Sequence, residues 1–141
     1  MHMKFYDEKK SLLDMYDIPA EDKYMKRAYM VLALFEHIDP VKVKFKKKLT
    51  DKKTEIKGRY VLKYIFKTLR IANRIEIVKD RYWLLYLFHE FTHQVIYKEY
   101  GITDHGKSFK RLERLFLRKY FDKILQSIIK QETKKKAANE R

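Results

Sequence analysis

Residues 81–101 read RYWLLYLFHEFTHQVIYKEYG, and the reading of this stretch decides the fold. Almost every position is apolar or aromatic around the whole helical circumference, with Asp80 placed to cap the start and Gly101 placed as a stop. Such a helix belongs at the centre of a domain. Within it lies His89-Glu90-Phe91-Thr92-His93, an H-E-x-x-H. Four residues are slightly more than one helical turn, so both imidazoles leave the same face with Cβ atoms roughly 6 Å apart, able to converge on one zinc ion. Glu90, beside the first ligand, is angled towards the open side of the metal. There it can take a proton from an activated water and return it to a leaving amine. Seven greasy residues precede His89, and titratable groups in such surroundings are costly without a partner. A metal accounts for the exception, whereas the competing reading is a chance pentapeptide whose histidines are satisfied by core hydrogen bonds.

A third ligand has to come from outside the helix. His105 stands in Asp104-His105-Gly106, twelve residues past His93 and just after the expected stop at Gly101, where a reversing chain can present an imidazole. Glu113, twenty residues past His93, is the alternative, as in zincins that use a carboxylate. Glu99 lies on the same helix and points away from both histidines. The longer pattern H-E-x-x-H-x-x-G-x-x-H is absent, since Ile96 and Glu99 occupy its Gly and third His positions. His105 is preferred because imidazole is the commonest metal ligand and Gly106 lets the backbone pass close to the site.

Working outward, Tyr24, Ala28, Val31, Leu32 and Phe35 recur at helical spacing and predict an amphipathic helix over residues 19–37, ended by Asp39-Pro40. Val41, Val43 and Phe45 alternate with Lys42, Lys44 and Lys46, a half-buried strand with a row of ammonium groups in water. Residues 59–66 suit a second strand buried on both faces and forming a hairpin with the first. Residues 68–73 read as a loop, and RIEIVK over 74–79 as a short third strand whose charged ends suit a sheet edge. That edge makes Arg74, Ile75, Glu76, Ile77 and Val78 the candidates for pairing with an extended substrate. From residue 107 to 130, Phe109, Leu112, Phe116, Ile124 and Ile128 mark a long amphipathic helix, and the Lys-rich residues 131–141 read as a basic, fraying tail. The expectation is one α+β domain over residues 1–130. It has an N-terminal helix, a small three-stranded antiparallel or mixed sheet, the central H-E-x-x-H helix and a long C-terminal helix. Tyr82, Trp83, Tyr86, Phe88 and Phe91 read as core rather than as a base-stacking platform, and His37 as a helix C-terminal charge partner. Tyr97 and Tyr100 are weaker candidates for donors to a developing oxyanion.

Residues 58–112, from GRYVLKYIFK through RIEIVKD and LLYLFHEFTHQ to DHGKSFKRL, resemble the SprT-like zinc metallopeptidases, which include the eukaryotic Spartan proteases. The most specific pieces are L-x-H-E-x-x-H-Q and, after a short connector, H-G-K-x-F-K. The resemblance implies a zincin-like minimal peptidase domain, one zinc ion on His89, His93 and His105, and Glu90 as general base. By analogy it also implies cleavage of proteins that sit on DNA or are crosslinked to it. The likeness is to the catalytic domain, since the sequence carries neither the Cys-rich ribbon of many bacterial members nor the long tails of the eukaryotic ones.

Composition sets the remaining bounds. The 141 residues hold no Cys, which removes thiol nucleophiles, iron–sulfur clusters and Cys-based zinc fingers, so a metal has to be held by His and carboxylates. No apolar run approaches the roughly 18 residues of a membrane span, and the start lacks the apolar stretch of a secretory signal. An intracellular protein in the cytoplasm, nucleoid or nucleus, without a membrane partner, is therefore expected. The opening Met1-His2-Met3 is also that of a cloning remnant, so His2 carries no weight as a ligand. The net charge of +15 divides into −2, +10 and +7 over residues 1–40, 41–80 and 81–141. Lys42, Lys44, Lys46, Lys47 and Lys48 head the strongly positive segment, and such a field attracts polyanions. Two uses compete for it: a solvated surface, or a groove for DNA, single-stranded DNA included, held without base specificity. Three functions follow. The leading one is a zinc endopeptidase acting on protein substrates; the others are a non-catalytic nucleic-acid-binding module with a structural zinc, and a peptidase using Glu113 as third ligand.

Overall fold

The computed structural model describes residues 2–67 and 69–140; Thr68 of the expected loop and Arg141 of the expected tail lie outside them. In chain order the elements are α1 (His2–Tyr16), α2 (Asp22–Phe35), β1 (Lys42–Lys46), β2 (Leu49–Asp51), β3 (Thr54–Ile56), β4 (Gly58–Tyr64), β5 (Arg70–Val78), α3 (Trp83–Tyr100), α4 (Lys107–Phe116), a π-helical turn (Leu117–Phe121) and α5 (Asp122–Asn139). The fold is α+β, with a three-stranded mixed sheet, a two-stranded ribbon and a long C-terminal helix.

The centre is α3, as its all-round apolar surface requires. Trp83, Leu84, Leu87, Phe88 and Phe91 are all fully buried. Phe91 meets Tyr29 of α2 edge to face, and Trp83 meets Phe45 of β1 in the same way. Helix α2 supplies Tyr24, Met25, Ala28, Tyr29, Leu32 and Ala33 to the core at three- and four-residue steps. It begins at Asp22 rather than Pro19, with an acidic residue in its first turn. The exposed residue His37 turns the chain with φ 55°, and its carbonyl accepts a hydrogen bond from Lys98 Nζ at 2.8 Å.

The sheet order is β1–β5–β4, and it differs from the expected pairing. The first strand does not form a hairpin with β4; it pairs parallel to β5, setting Val43 opposite Ile75 and Phe45 opposite Ile77. Those apolar pairs lie over the core, and burying them together selects the pairing. The hairpin partner of β4 is β5, antiparallel, with a bulge between Val61 and Leu62. Residues 70–73, expected in a loop, are strand because residues 70–72 pair with residues 62–64 of β4 and Asn73 falls at the bulge. Consequently β5 is the central strand, whereas β4, expected to be buried on both faces, is an edge whose end at Lys63 and Tyr64 is exposed. Residues 49–56, polar in sequence, form the β2–β3 ribbon around Lys52 and Lys53, both with positive φ as a tight two-residue hairpin turn requires.

Two helical segments also depart from expectation. Nothing in the periodicity of residues 2–16 announced α1, because a core-facing position is held by Lys9, buried along its stem with its ammonium 2.9 Å from Asp122. The expected tail continues as α5 through Asn139, since Tyr24 hydrogen-bonds Glu132 and Lys135 pairs with Glu21 at 3.6 Å, tying it to α2. Among the described residues no helix is long and apolar enough to cross a membrane.

Candidate metal centre

Helix α3 presents His89 and His93 on one face, one turn apart, with their ring centroids 5.0 Å from each other. It ends where Gly101 takes a left-handed φ of 67°, and the chain reverses through a turn in which Gly106 N donates to Asp104 Oδ1 at 3.0 Å. That reversal carries His105 back over the helix. Its Nε2 lies 3.1 Å from Nε2 of His89 and 2.9 Å from Nε2 of His93. Among the described residues these three form the group able to hold a metal ion, their ligand atoms within 4.8 Å of one another.

The donor set fits zinc. Three imidazole nitrogens aimed at one point suit a borderline-soft tetrahedral cation, whose bonds of about 2.0–2.1 Å place its ligand nitrogens about 3.3 Å apart, a few tenths from the separations found here. Burial, followed by the charge of His89 and then of His105, pushes the His93 imidazole down to about 3. Burial also leads the causes that hold His105 below the usual range, so both are kept in the neutral form a metal needs. Burial works the same way on His89, but the Glu113 hydrogen bond and the charges of Glu90 and Glu113 outweigh it and hold that imidazole above its usual range.

Glu113 lies outside the three-histidine cluster, against the far nitrogen of His89. Its Oε2 lies 2.7 Å from Nδ1 of His89, as when a ring N–H donates to a carboxylate, and this tautomer leaves the Nε2 lone pair free for a metal. Only 4% of Glu113 is exposed, so the carboxylate half of the pair is shielded from water. Phe109, one turn earlier on α4, forms the floor of the cluster, its ring centroid 4.9, 4.4 and 4.9 Å from those of His89, His93 and His105. Sequence reasoning assigned neither role. The signal was the four-residue spacing of Phe109 and Glu113, which puts both on one face of a helix beginning just after His105. Glu113→Gln should lower zinc affinity by roughly 10–100-fold while leaving the fold intact, measured by competition with a chelating dye.

Glu90 is 5% exposed, and burial, partly opposed by His89, pushes its carboxyl up to about 7. It lies against the start of β4. A Cβ built on Gly58 would stand 2.8 Å from Glu90 Oε2 and 3.0 Å from its Cγ, so the missing side chain makes the room in which the carboxylate sits. Gly58→Ala is expected to displace Glu90 and to reduce any Glu90-dependent activity by roughly 10-fold or more with zinc content unchanged, a positioning effect. Equal activity in that variant would mean that Glu90 finds another productive rotamer.

These groups open onto a cleft of about 580 Å³, lined by Gly58, Tyr60 and Leu62 of the edge strand β4, by Asp51 and Glu55 of the ribbon, and by Tyr86 of α3. The expected substrate strand is elsewhere. Arg74, Ile75, Glu76, Ile77 and Val78 belong to β5, hydrogen-bonded on both sides, so no edge is left for a substrate to extend. Ile75 and Ile77 are core residues, and Glu76 is buried among Arg59 at 2.5 Å, Lys46 at 3.4 Å and Arg74 at 3.5 Å. Burial opposes the ionised form of Glu76, but the Arg59 hydrogen bond leads the contacts that hold its carboxyl below the usual range. Tyr97 places its hydroxyl 3.4 Å from the Arg70 carbonyl, away from the cluster, and Tyr100 is exposed.

Lys42, Lys44, Lys47 and Lys48 are exposed, while Lys46 is half-buried through its pair with Glu76. The register sets Lys42 beside Arg74, Lys44 beside Glu76 and Glu76 beside Arg59, so Arg74, expected to pair with substrate, and Arg59, given no role in the sequence reading, join the lysine row on one face of the sheet. No protein-family model matches the chain, and no curated protein and no solved structure matches it.

Proposed function

We propose that this chain is a zinc-dependent endopeptidase of the SprT-like type, acting on protein substrates bound to or crosslinked with DNA. The convergence of three imidazole Nε2 atoms beside a buried glutamate, at the floor of an open cleft, is the observation that carries the reading. Zinc held by His89, His93 and His105 would supply Lewis-acid charge at the scissile carbonyl. Glu90 takes the proton of the attacking water at its carboxylate and returns it to the leaving nitrogen. Edge strand β4, whose Gly58, Tyr60 and Leu62 line the cleft, holds an extended peptide by strand addition and takes over the role first expected of β5.

The second partner in this reading is DNA, bound without sequence preference and in single-stranded form as well, through Lys42, Lys44, Lys47, Lys48 and the neighbouring Arg74. The zinc is read as catalytic rather than structural because three protein ligands leave a position open, and an ionisable group beside a closed site would have no use. The test is metal analysis combined with cleavage of an unfolded protein, with and without single-stranded DNA, at low and at physiological salt. The expected result is one zinc per chain, cleavage abolished by chelation, and DNA binding that weakens steeply as salt rises. Stoichiometric zinc with no cleavage under any of these conditions would favour the structural-zinc module, and DNA binding insensitive to replacing Lys42 and Lys44 by Glu would remove this face from the account.

A further inference from the structure

Away from the metal, α2 and α5 run antiparallel, as the Tyr24–Glu132 hydrogen bond at one end and the Phe35–Tyr120 ring contact at the other require. Between them lies an open groove of about 340 Å³, with Val31, Ile124 and Ile128 in its lining. Phe35, 62% exposed, also lines it, and the apolar surface continues beyond the groove along the outer face of α2, where Met30 and Leu34 are 49% and 72% exposed. An apolar stripe of this kind, running with helical periodicity on a helix that has already buried its other face, is the mark of an interaction surface.

We propose that this groove docks an acidic amphipathic helix of another protein. Charge selects the occupant. Arg27 stands on the α2 wall and Lys119 and Lys123 on the opposite one, so cations flank the apolar floor on both sides, Lys119 also reaching Glu36 at 3.4 Å. A helix with an apolar ridge and carboxylates on both flanks meets floor and walls together. The 14 residues of α2 span about 21 Å, room for roughly four turns of a partner laid alongside. The stripe at Met30 and Leu34 lies where a small amphiphile would not be enclosed. A second copy of this chain, itself at +15, would bring like fields together. The π-helical turn at Leu117–Phe121 is an independent sign: such turns are rare and frequently mark functional sites, and this one carries Lys119 and Tyr120 to the groove wall.

The probe is a fluorescent, hydrocarbon-stapled helix of about 16 residues with Leu at positions i, i+3, i+4 and i+7 and Glu on both flanks. It is titrated into the full chain by anisotropy at physiological salt, beside a version carrying Lys in place of Glu. Saturable micromolar binding of the acidic peptide alone is expected, weakened about 10-fold or more by Phe35→Asp and by Lys123→Glu. Both residues are exposed, so circular dichroism should show the fold unchanged. No saturation up to about 1 mM would overturn the proposal. So would equal binding by both variants, which would make the attraction a property of the general charge. Sedimentation showing a dimer abolished by Phe35→Asp would assign the groove to a second copy instead, and Phe35-dependent binding of dodecanoate without peptide binding would assign it to an acyl chain.

Discussion

Glu90→Gln is expected to bind zinc and fold as wild type does while losing the proposed peptidase activity by roughly 10² or more. Glutamine has the same shape and fits the space against Gly58, but its amide cannot take a proton from water at neutral pH. A stability change should accompany the loss and has the opposite sign. Burial pushes the carboxyl up to about 7 in the metal-free fold against an ordinary 4.5, so the folded state holds its proton more tightly than the unfolded chain does. Stability tied to Glu90 is therefore fully present below about pH 4.5 and is lost as pH rises through about 7. Removing the ionisable group should make the metal-free variant more stable than wild type by about 1–3 kcal/mol at pH 8, with the difference vanishing near pH 4. Thermal melts across that range check it in a readout independent of catalysis. Wild-type activity in Glu90→Gln would sink the mechanism, and identical melting of the two proteins at pH 8 would mean that the carboxylate is better solvated than its burial implies.

The part of this site that could be read from sequence is the part governed by local geometry. One helical turn fixes His89 against His93, and the stop at Gly101 followed by a short connector fixes which imidazole can return. Contacts between distant segments were not legible. Gly58 and Glu90 meet across 32 residues, and nothing local to either announces it. The sheet shows the same division: alternation identified β1 and the 74–78 part of β5 as strands, but a period of two says which faces point inward and nothing about which neighbours pair. The edge assigned to β5 failed for that reason. The short run with charged ends read as an edge, whereas Glu76 is a buried anion satisfied by Arg59, Lys46 and Arg74 and leaves the strand free to sit in the middle. Helix α1 was hidden by the same effect in miniature, a lysine whose stem fills an apolar place and whose charge reaches Asp122.

The roles given to His105 and Glu113 predict losses of zinc of different size, and His105→Ala is the sharper of the two. His105 Nε2 stands about 3 Å from both of the other ring nitrogens, so its loss removes one of three ligands and leaves a two-histidine pair on a helix face. That variant should lose most of its zinc at neutral pH, a drop in affinity larger than the 10–100-fold expected from losing an outer partner. Glu113→Ala should retain zinc more weakly than wild type, because His89 keeps its nitrogen but loses the bond that fixes its tautomer and ring plane. The fold should survive His105→Ala, since His105 lies in an exposed connector and contributes nothing to the core cluster, so circular dichroism and the apo melting curve separate ligand loss from unfolding. Inductively coupled plasma analysis after gel filtration gives the ordering directly. Full zinc in His105→Ala with loss in Glu113→Ala would transfer the ligand role to the carboxylate. The hydrogen bond now drawn from His89 would then have to open on metal binding, turning Glu113 towards the cluster past the Phe109 ring that floors it.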